Sequence, residues 1–187
     1  MSNTRDAKPR IIVIGAGIVG ACIAWRLNDA GASVTLIDGN DAGGIASANS
    51  FGWLNATYGN PRPYFDLRMA SMKEWDMLAA RFDDLPFRKS GTLYAHFDRV
   101  DLSVFHKAHT EWGYEIDWVG QEQIKELEPN LVAVPERCLL APAEGTLRVA
   151  DAARFFAEQF QRQGGRFLHQ TVSTIVSRGG QVTGVKI

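Results

Sequence analysis

Only two cysteines, Cys22 and Cys138, occur in the 187 residues. They are too few and too scattered for a disulfide framework or a metal site, and they point to a reducing, cytoplasmic setting. Neither sign of charge is in excess. Lys and Arg total 20 and Asp and Glu total 21, a formal net charge of −1, so no basic balance argues for nucleic acid or an anionic membrane surface. Long apolar runs are missing too. The best candidate, residues 11–23, is broken by Gly15, Gly17 and Gly20 and passes straight into an amphipathic pattern. With the polar stretch MSNTRDAKPR before it, neither a signal segment nor a stable membrane span is expected. Internal repeats and low-complexity tracts are also lacking. What remains is 45% apolar and 22% charged, the composition of a globular protein with one domain, or a domain and a sub-lobe.

The first forty residues carry the sharpest pattern. RIIVI at 10–14 is a short β-branched run that suits a parallel strand buried on both faces. GAGIVG follows at 15–20, then ACIAWRLNDAG with Val19, Ile23 and Leu27 at helical spacing and Gly31 as a stop. A second β-branched run, ASVTLID, ends at Asp38. Three glycines alone are a weak signal, since tight turns that bind nothing also use them. Here the order is strand, glycine-rich turn, helix, strand, acid. In that order Gly15 allows the sharp exit from the strand, Gly17 a close backbone approach to a pyrophosphate, and Gly20 close packing of helix on sheet. The helix start would face the phosphates. Asp38, 23 residues beyond Gly15, stands where a carboxylate accepts from ribose hydroxyls and disfavours the 2′-phosphate of NADP.

Residues 39–60, GNDAGGIASANSFGWLNATYGN, are rich in small and amide side chains. A flexible surface loop is the plain reading. Ile45, Phe51, Trp53 and Leu54 are too apolar for a solvated linker, and the pattern suits a loop whose amides converge on an anion or an aromatic ring. Beyond it, 63–82 reads as a helix with Leu67, Ser71, Trp75, Leu78 and Phe82 on one face. Residues 87–97 read as one strand, 100–114 and 120–129 as helices, and 138–149 as one or two strands. DAARFFAEQFQRQGG is a further helix with Asp151 as its cap, Phe156 and Phe160 at i and i+4, and Gly164–Gly165 as its end. Strands flank the Gly179–Gly180 turn.

On these residues the chain resembles the FAD-dependent oxidoreductases of the D-amino-acid oxidase and glycine/sarcosine oxidase family. The resemblance rests on VIGAGIVGACIAWRL at 13–27, VTLID at 34–38, ASANSFGWLNA at 46–56, KSGTLYA at 89–95 and APAEGTLRVADAARFFAEQFQRQGG at 141–165. It implies an α/β fold: a Rossmann-like FAD-binding domain with an inserted α+β substrate lobe, incomplete at the C-terminus because family members are roughly twice as long. The segments implied are 1–85 for the first part of the FAD-binding domain, 86–144 for part of the substrate lobe and 145–187 for the return. The pyrophosphate is implied at Gly15, Ala16, Gly17, Ile18, Val19 and Gly20, and the ribose at Asp38. Ala46, Ser47, Asn49 and Ser50 are implied at the pyrophosphate and the isoalloxazine. Val172, in the strand after the late helix, is implied at the adenine. The ribose acid is more often Glu than Asp in the family. With no His or Cys in 46–56, noncovalent flavin is expected.

The resemblance implies oxidation of a C–N bond in a small amine or amino-acid substrate. Flavin carries the redox step in such chemistry, so no side-chain nucleophile or metal is needed and no catalytic residue is assigned. His96, His106, His109 and His169 are candidates only as imidazoles, whose ordinary titration lies near neutrality. His106 and His109 lie one helical turn apart without a third ligand. Tyr94 and Trp53 are candidates to face the flavin, and packing explains both equally well. An active oxidoreductase would require a missing C-terminal half or a partner chain; the alternatives are a truncated, catalytically incompetent FAD-binding fragment and an NAD-dependent dehydrogenase, which the late AEGTLRVADAARFF segment disfavours.

Overall fold

A computed structural model describes residues 8–57, 60–95 and 101–187. In chain order the elements are β1 (Arg10–Ile14), α1 (Ile18–Asp29), β2 (Ser33–Asp38), a 3-10 turn (Ser47–Asn49), β3 (Trp53–Leu54), α2 (Arg62–Arg81), β4 (Phe87–Arg88), β5 (Thr92–Tyr94), α3 (Leu102–Glu111), β6 (Asp117–Gly120), α4 (Gln121–Leu127), β7 (Arg137–Ala141), β8 (Gly145–Leu147), α5 (Val149–Arg162), β9 (Arg166–His169), β10 (Thr174–Arg178) and β11 (Gln181–Lys186). They divide into two compact units. One comprises residues 1–52, 84–86 and 148–187, the other 53–83 and 87–147.

The first unit is built on a parallel three-stranded sheet in the order β1-β2-β9. Arg10 to Ile14 pair in register with Ser33 to Ile37, and Thr35 to Asp38 with Arg166 to His169. Helices α1 and α5 pack on each other, with the Trp25 and Phe156 rings 5.1 Å apart. Trp25, Phe156 and Phe160 are buried, as are Ala21, Ala24, Ala152 and Ala153, whose small side chains let the two helices approach. Each of the large side chains contributes about 1.5–3 kcal/mol on burial. The expected Gly164–Gly165 stop is a Schellman turn. Gly164, at φ +83°, donates to Gln161 O, and Gly165 donates to Phe160 O.

Two expectations for this unit need correcting. β1 is not buried on both faces. Among the described residues it pairs with β2 alone, and Ile12 and Ile14 are 42% and 51% exposed. Asp151 is not the cap of α5. The cap position is Arg148, and Asp151 sits in the first turn, where its carboxylate favours the positive end of the helix and pairs with Arg148 and Arg154.

The second unit holds two antiparallel sheets, β3-β8-β4 and β5-β7-β6. The expected single strand over 87–97 is therefore two short strands in different sheets, separated at Gly91 (φ +70°). The core gathers Phe65, Tyr94, Phe105, Tyr114, Ile116 and Leu139. Helix α2, expected in the same segment as the glycine-rich turn, belongs to this unit. Its inner face is also rotated from the expected one. Phe65 and Met72 are buried while Leu67 is 64% exposed. Arg68 turns inward because its guanidinium finds acceptors. Nε donates to Asn55 O (2.8 Å), one terminal nitrogen to Thr57 O (3.0 Å) and the other to the Asn55 side-chain oxygen.

Candidate functional site

The glycine-rich turn lies between β1 and α1. Gly15 takes φ +98° and donates to Ile37 O at 2.8 Å, which ties the end of β1 to β2. Gly17 is the residue before α1 and offers no side-chain cap. A Cβ on Gly20 would lie 1.9 Å from Gly15 O, so this position admits only glycine where the helix starts. Helix geometry leaves the first-turn amides without acceptors inside α1. One of them is met from a distant segment, where Ile18 N–H donates to Ser47 Oγ at 3.0 Å. Val19 is 69% exposed.

Ala16 is fully buried, and its amide donates to Asp38 Oδ2 at 2.7 Å while its carbonyl accepts from Gly43 N at 2.9 Å. Asp38 Oδ1 accepts from Asn40 N at 2.8 Å. Around these groups lies a cavity of about 210 Å³ lined by Gly17, Asp38, Asn40, Gly44, Ile45, Ala46 and Ser47. Its polar side chains are one carboxylate, one hydroxyl and one amide, and Gly17, the residue before α1, puts the positive end of the helix at its edge. That donor set fits a group carrying phosphates and a sugar.

Most of the expected site residues therefore converge. Gly17, Asp38, Ala46 and Ser47 line the cavity, and Gly15, Ala16, Ile18 and Gly20 shape it. Asn49 and Ser50 do not line it. Asn49 donates to Ile45 O at 2.8 Å and Ser50 Oγ accepts from Gly52 N at 3.2 Å, so both brace their own loop. Val172 is not in a strand but in the connection between β9 and β10. Sequence reasoning missed Asn40 as a lining residue, although Asp-Gly-Asn carried a turn signal there.

In the second unit a carboxylate was missed altogether. Glu144 is fully buried and accepts from Tyr94 Oη and Tyr114 Oη, each at 2.6 Å, and from Trp53 Nε1 at 2.8 Å. Tyr94 also shares a 2.8 Å hydrogen bond with Thr57 Oγ1. Burial first, and then the Glu144 carboxylate, push both phenols far up. Tyr94 and Trp53 thus spend their polar atoms on Glu144.

Among the described residues the histidines do not form a centre. His109 is buried, with Nδ1 2.7 Å from Phe105 O and its ring 4.0 Å from that of Phe105. His106 Nε2 lies 3.7 Å from Asp117, and His169 Nδ1 lies 3.7 Å from Asp41. His96 lies outside the described residues. Among the described residues no group of three or more His, Cys, Asp or Glu side chains could hold a metal, and no helix is long and apolar enough to cross a membrane.

The sequence profile of the family described as FAD dependent oxidoreductase matches residues 10–187. The chain belongs to the FAD dependent oxidoreductase family. It is 28% identical to a glycine oxidase of Bacillus licheniformis over 126 residues, which covers 64% of this chain and 34% of that protein. Its fold is that of L-amino acid deaminase from Proteus vulgaris (TM-score 0.83, 18% identity, 99% of this chain and 45% of that one). It also matches glycine oxidase from Bacillus cereus ATCC 14579 (TM-score 0.80, 21% identity, 96% and 52%). The chain thus spans about half the length of these solved family members and about a third of the curated one.

Proposed function

We propose that this chain holds FAD noncovalently in its first unit and serves an oxidoreductase that oxidises a C–N bond of an amino acid or related small amine. One observation carries the reading. Gly17 before α1, Asp38 and Ser47 line one cavity at the start of the helix, whose positive end suits phosphate. Gly15 to Gly20 and Ser47 would hold the pyrophosphate and Asp38 the ribose. Val172 stays the proposed neighbour of the adenine and Ala46 that of the pyrophosphate and isoalloxazine. The second unit, 53–83 and 87–147, supplies part of the substrate lobe. When bound, FAD supplies the two-electron acceptor for the C–N oxidation, which leaves an imine for water to hydrolyse. The side chains described here bind and orient. A reducing, cytoplasmic location belongs to the same reading, supported by Cys22 and Cys138 remaining free thiols.

The test is the absorbance spectrum of the purified chain before and after FAD addition and gel filtration. Flavin bands that co-elute with the protein and are released by denaturation support noncovalent binding. A colourless protein that remains folded overturns it. Turnover is then tested with glycine, N-methyl amino acids and D- and L-amino acids. Retained flavin without turnover supports the second reading, a chain that binds FAD but has no activity by itself.

A further inference from the structure

We infer that Asp38 is a positioning residue of the glycine-rich turn: its carboxylate ties the amides of Ala16 and Asn40 and so sets the shape of the nucleotide cradle before any ligand enters. The inference rests on the FAD-binding reading above and deepens it. Ala16 is fully buried, so its amide needs an acceptor inside the protein. Asp38 Oδ2 is that acceptor at 2.7 Å. Oδ1 accepts from Asn40 N, two residues on, which closes an Asx turn at the end of β2. One short side chain thereby joins the turn after β1 to the loop after β2, and both segments line or shape the same cavity. The reach is that of a side chain with a single methylene, as Asx turns require, and aspartate rather than asparagine brings two acceptor oxygens to it. A carboxylate offers about four lone-pair sites. Two are engaged by backbone, and the rest remain for a ribose hydroxyl.

The expected consequence concerns the ligand-free protein. Asn in place of Asp38 has one acceptor oxygen for two amides, and its NH2 group opposes the other N–H. In the 15N-labelled, FAD-free full chain, Asp38→Asn should speed hydrogen exchange of at least one of the Ala16 and Asn40 amides by about tenfold, the ratio that a lost charge-assisted hydrogen bond corresponds to. The Leu36 amide in the sheet should keep its wild-type exchange, which separates local release from general destabilisation. The FAD dissociation constant should rise by a similar factor, read by flavin fluorescence. Asp38→Glu, which keeps the charge but loses the Asx geometry, should release Asn40 as well. Unchanged exchange at Ala16 and Asn40 in both variants, with only FAD affinity altered, overturns the inference and leaves Asp38 a ribose ligand alone. The wild-type protein gives a reading that needs no variant. Both amides should resonate well downfield of random-coil positions, and random-coil shifts overturn the inference. If FAD does not bind the wild type, the functional reading fails while these ligand-free measurements still decide the role of Asp38.

Discussion

The Tyr114 hydroxyl donates to Glu144 Oε1 at 2.6 Å, and the Tyr94 hydroxyl donates to the same oxygen at the same distance. The second carboxylate oxygen accepts from the Trp53 indole at 2.8 Å. Three donors from three segments are thus satisfied by one fully buried side chain. Removing the acceptor leaves the Tyr114 hydroxyl without one, while Tyr94 can turn to Thr57 Oγ1 at 2.8 Å and Trp53 Nε1 keeps Thr92 Oγ1 at 3.1 Å. Glu144→Ala is expected to destabilise the chain by about 3 kcal/mol or more, since three hydrogen bonds to one carboxylate are lost together, each about 1.5–3 kcal/mol, and only part of that loss is recovered from Thr57 and Thr92. Tyr114→Phe should cost less, about 1.5–3 kcal/mol, for one hydrogen bond to a charged acceptor. Urea unfolding of the three proteins checks the order. Equal losses would mean that Glu144 does not join the segments.

The same burial sets the alkaline limit of stability. Burial pushes the Cys22 thiol up to about 12 from an ordinary 9.0. The phenols of Tyr94 and Tyr114 are raised above their ordinary 10.0, by burial first and then by Glu144. In the unfolded chain these groups release protons from about pH 9–10, while in the folded chain they do not. Stability is therefore fully present below about pH 9 and falls as pH rises above it. Denaturation midpoints measured from pH 8 to 11 should decline through this window, and the phenolate absorbance of Tyr94 and Tyr114 should appear only on unfolding. Phenolate signals from Tyr94 and Tyr114 in the folded state would contradict this.

Two glycines of the turn should respond differently to alanine. A Cβ at Gly20 would sit 1.9 Å from a backbone oxygen that cannot rotate away, so Gly20→Ala must displace α1. A Cβ at Gly15 would meet nothing within 4 Å, and the cost there is only the left-handed conformation at φ +98°, about 1–2 kcal/mol. Gly20→Ala is expected to abolish FAD retention on gel filtration. Gly15→Ala should lower the melting temperature while retaining flavin at high FAD concentration. Equal retention by both variants would show that α1 tolerates the shift.

What the sequence made legible was local. The order β1, glycine turn, α1, β2, Asp38 could be read because each signal lies within a few residues of its effect. Phe156 and Phe160 announced their helix face for the same reason. What stayed hidden depends on pairing over long separations. Nothing in FRKSGTLYA tells that β4 pairs with β8 while β5 pairs with β7. Apolar periodicity misjudged the face of α2, because Arg68 turns inward to acceptors on Asn55 and Thr57 that periodicity does not see. Glu144 beside Gly145 carries no local mark of its role, and only its three distant donors explain its burial. Asp38 was legible as an acid at a strand end, but its hold on Ala16 joins residues 22 positions apart and exists only in the fold.

Ser47 offers the most direct probe of the cradle. Its hydroxyl accepts from Ile18 N–H at 3.0 Å, and it lies 3.3 Å from where a Cβ on Gly17 would stand. A hydroxyl has one donor and two acceptor sites, so while accepting from the helix start it can still donate its own proton into the cavity. With FAD bound as proposed, Ser47 would pass the polarity of an α1 amide on to a phosphate oxygen. Ser47→Ala removes both roles and leaves Ile18 N–H without that acceptor. FAD affinity should fall about five- to tenfold, the factor for one lost hydrogen bond of about 1–1.4 kcal/mol, with little change in the fold. Isothermal titration of Ser47→Ala and wild type with FAD measures it. An unchanged dissociation constant would place the phosphates away from Ser47 and restrict the nucleotide to the amides of the glycine turn.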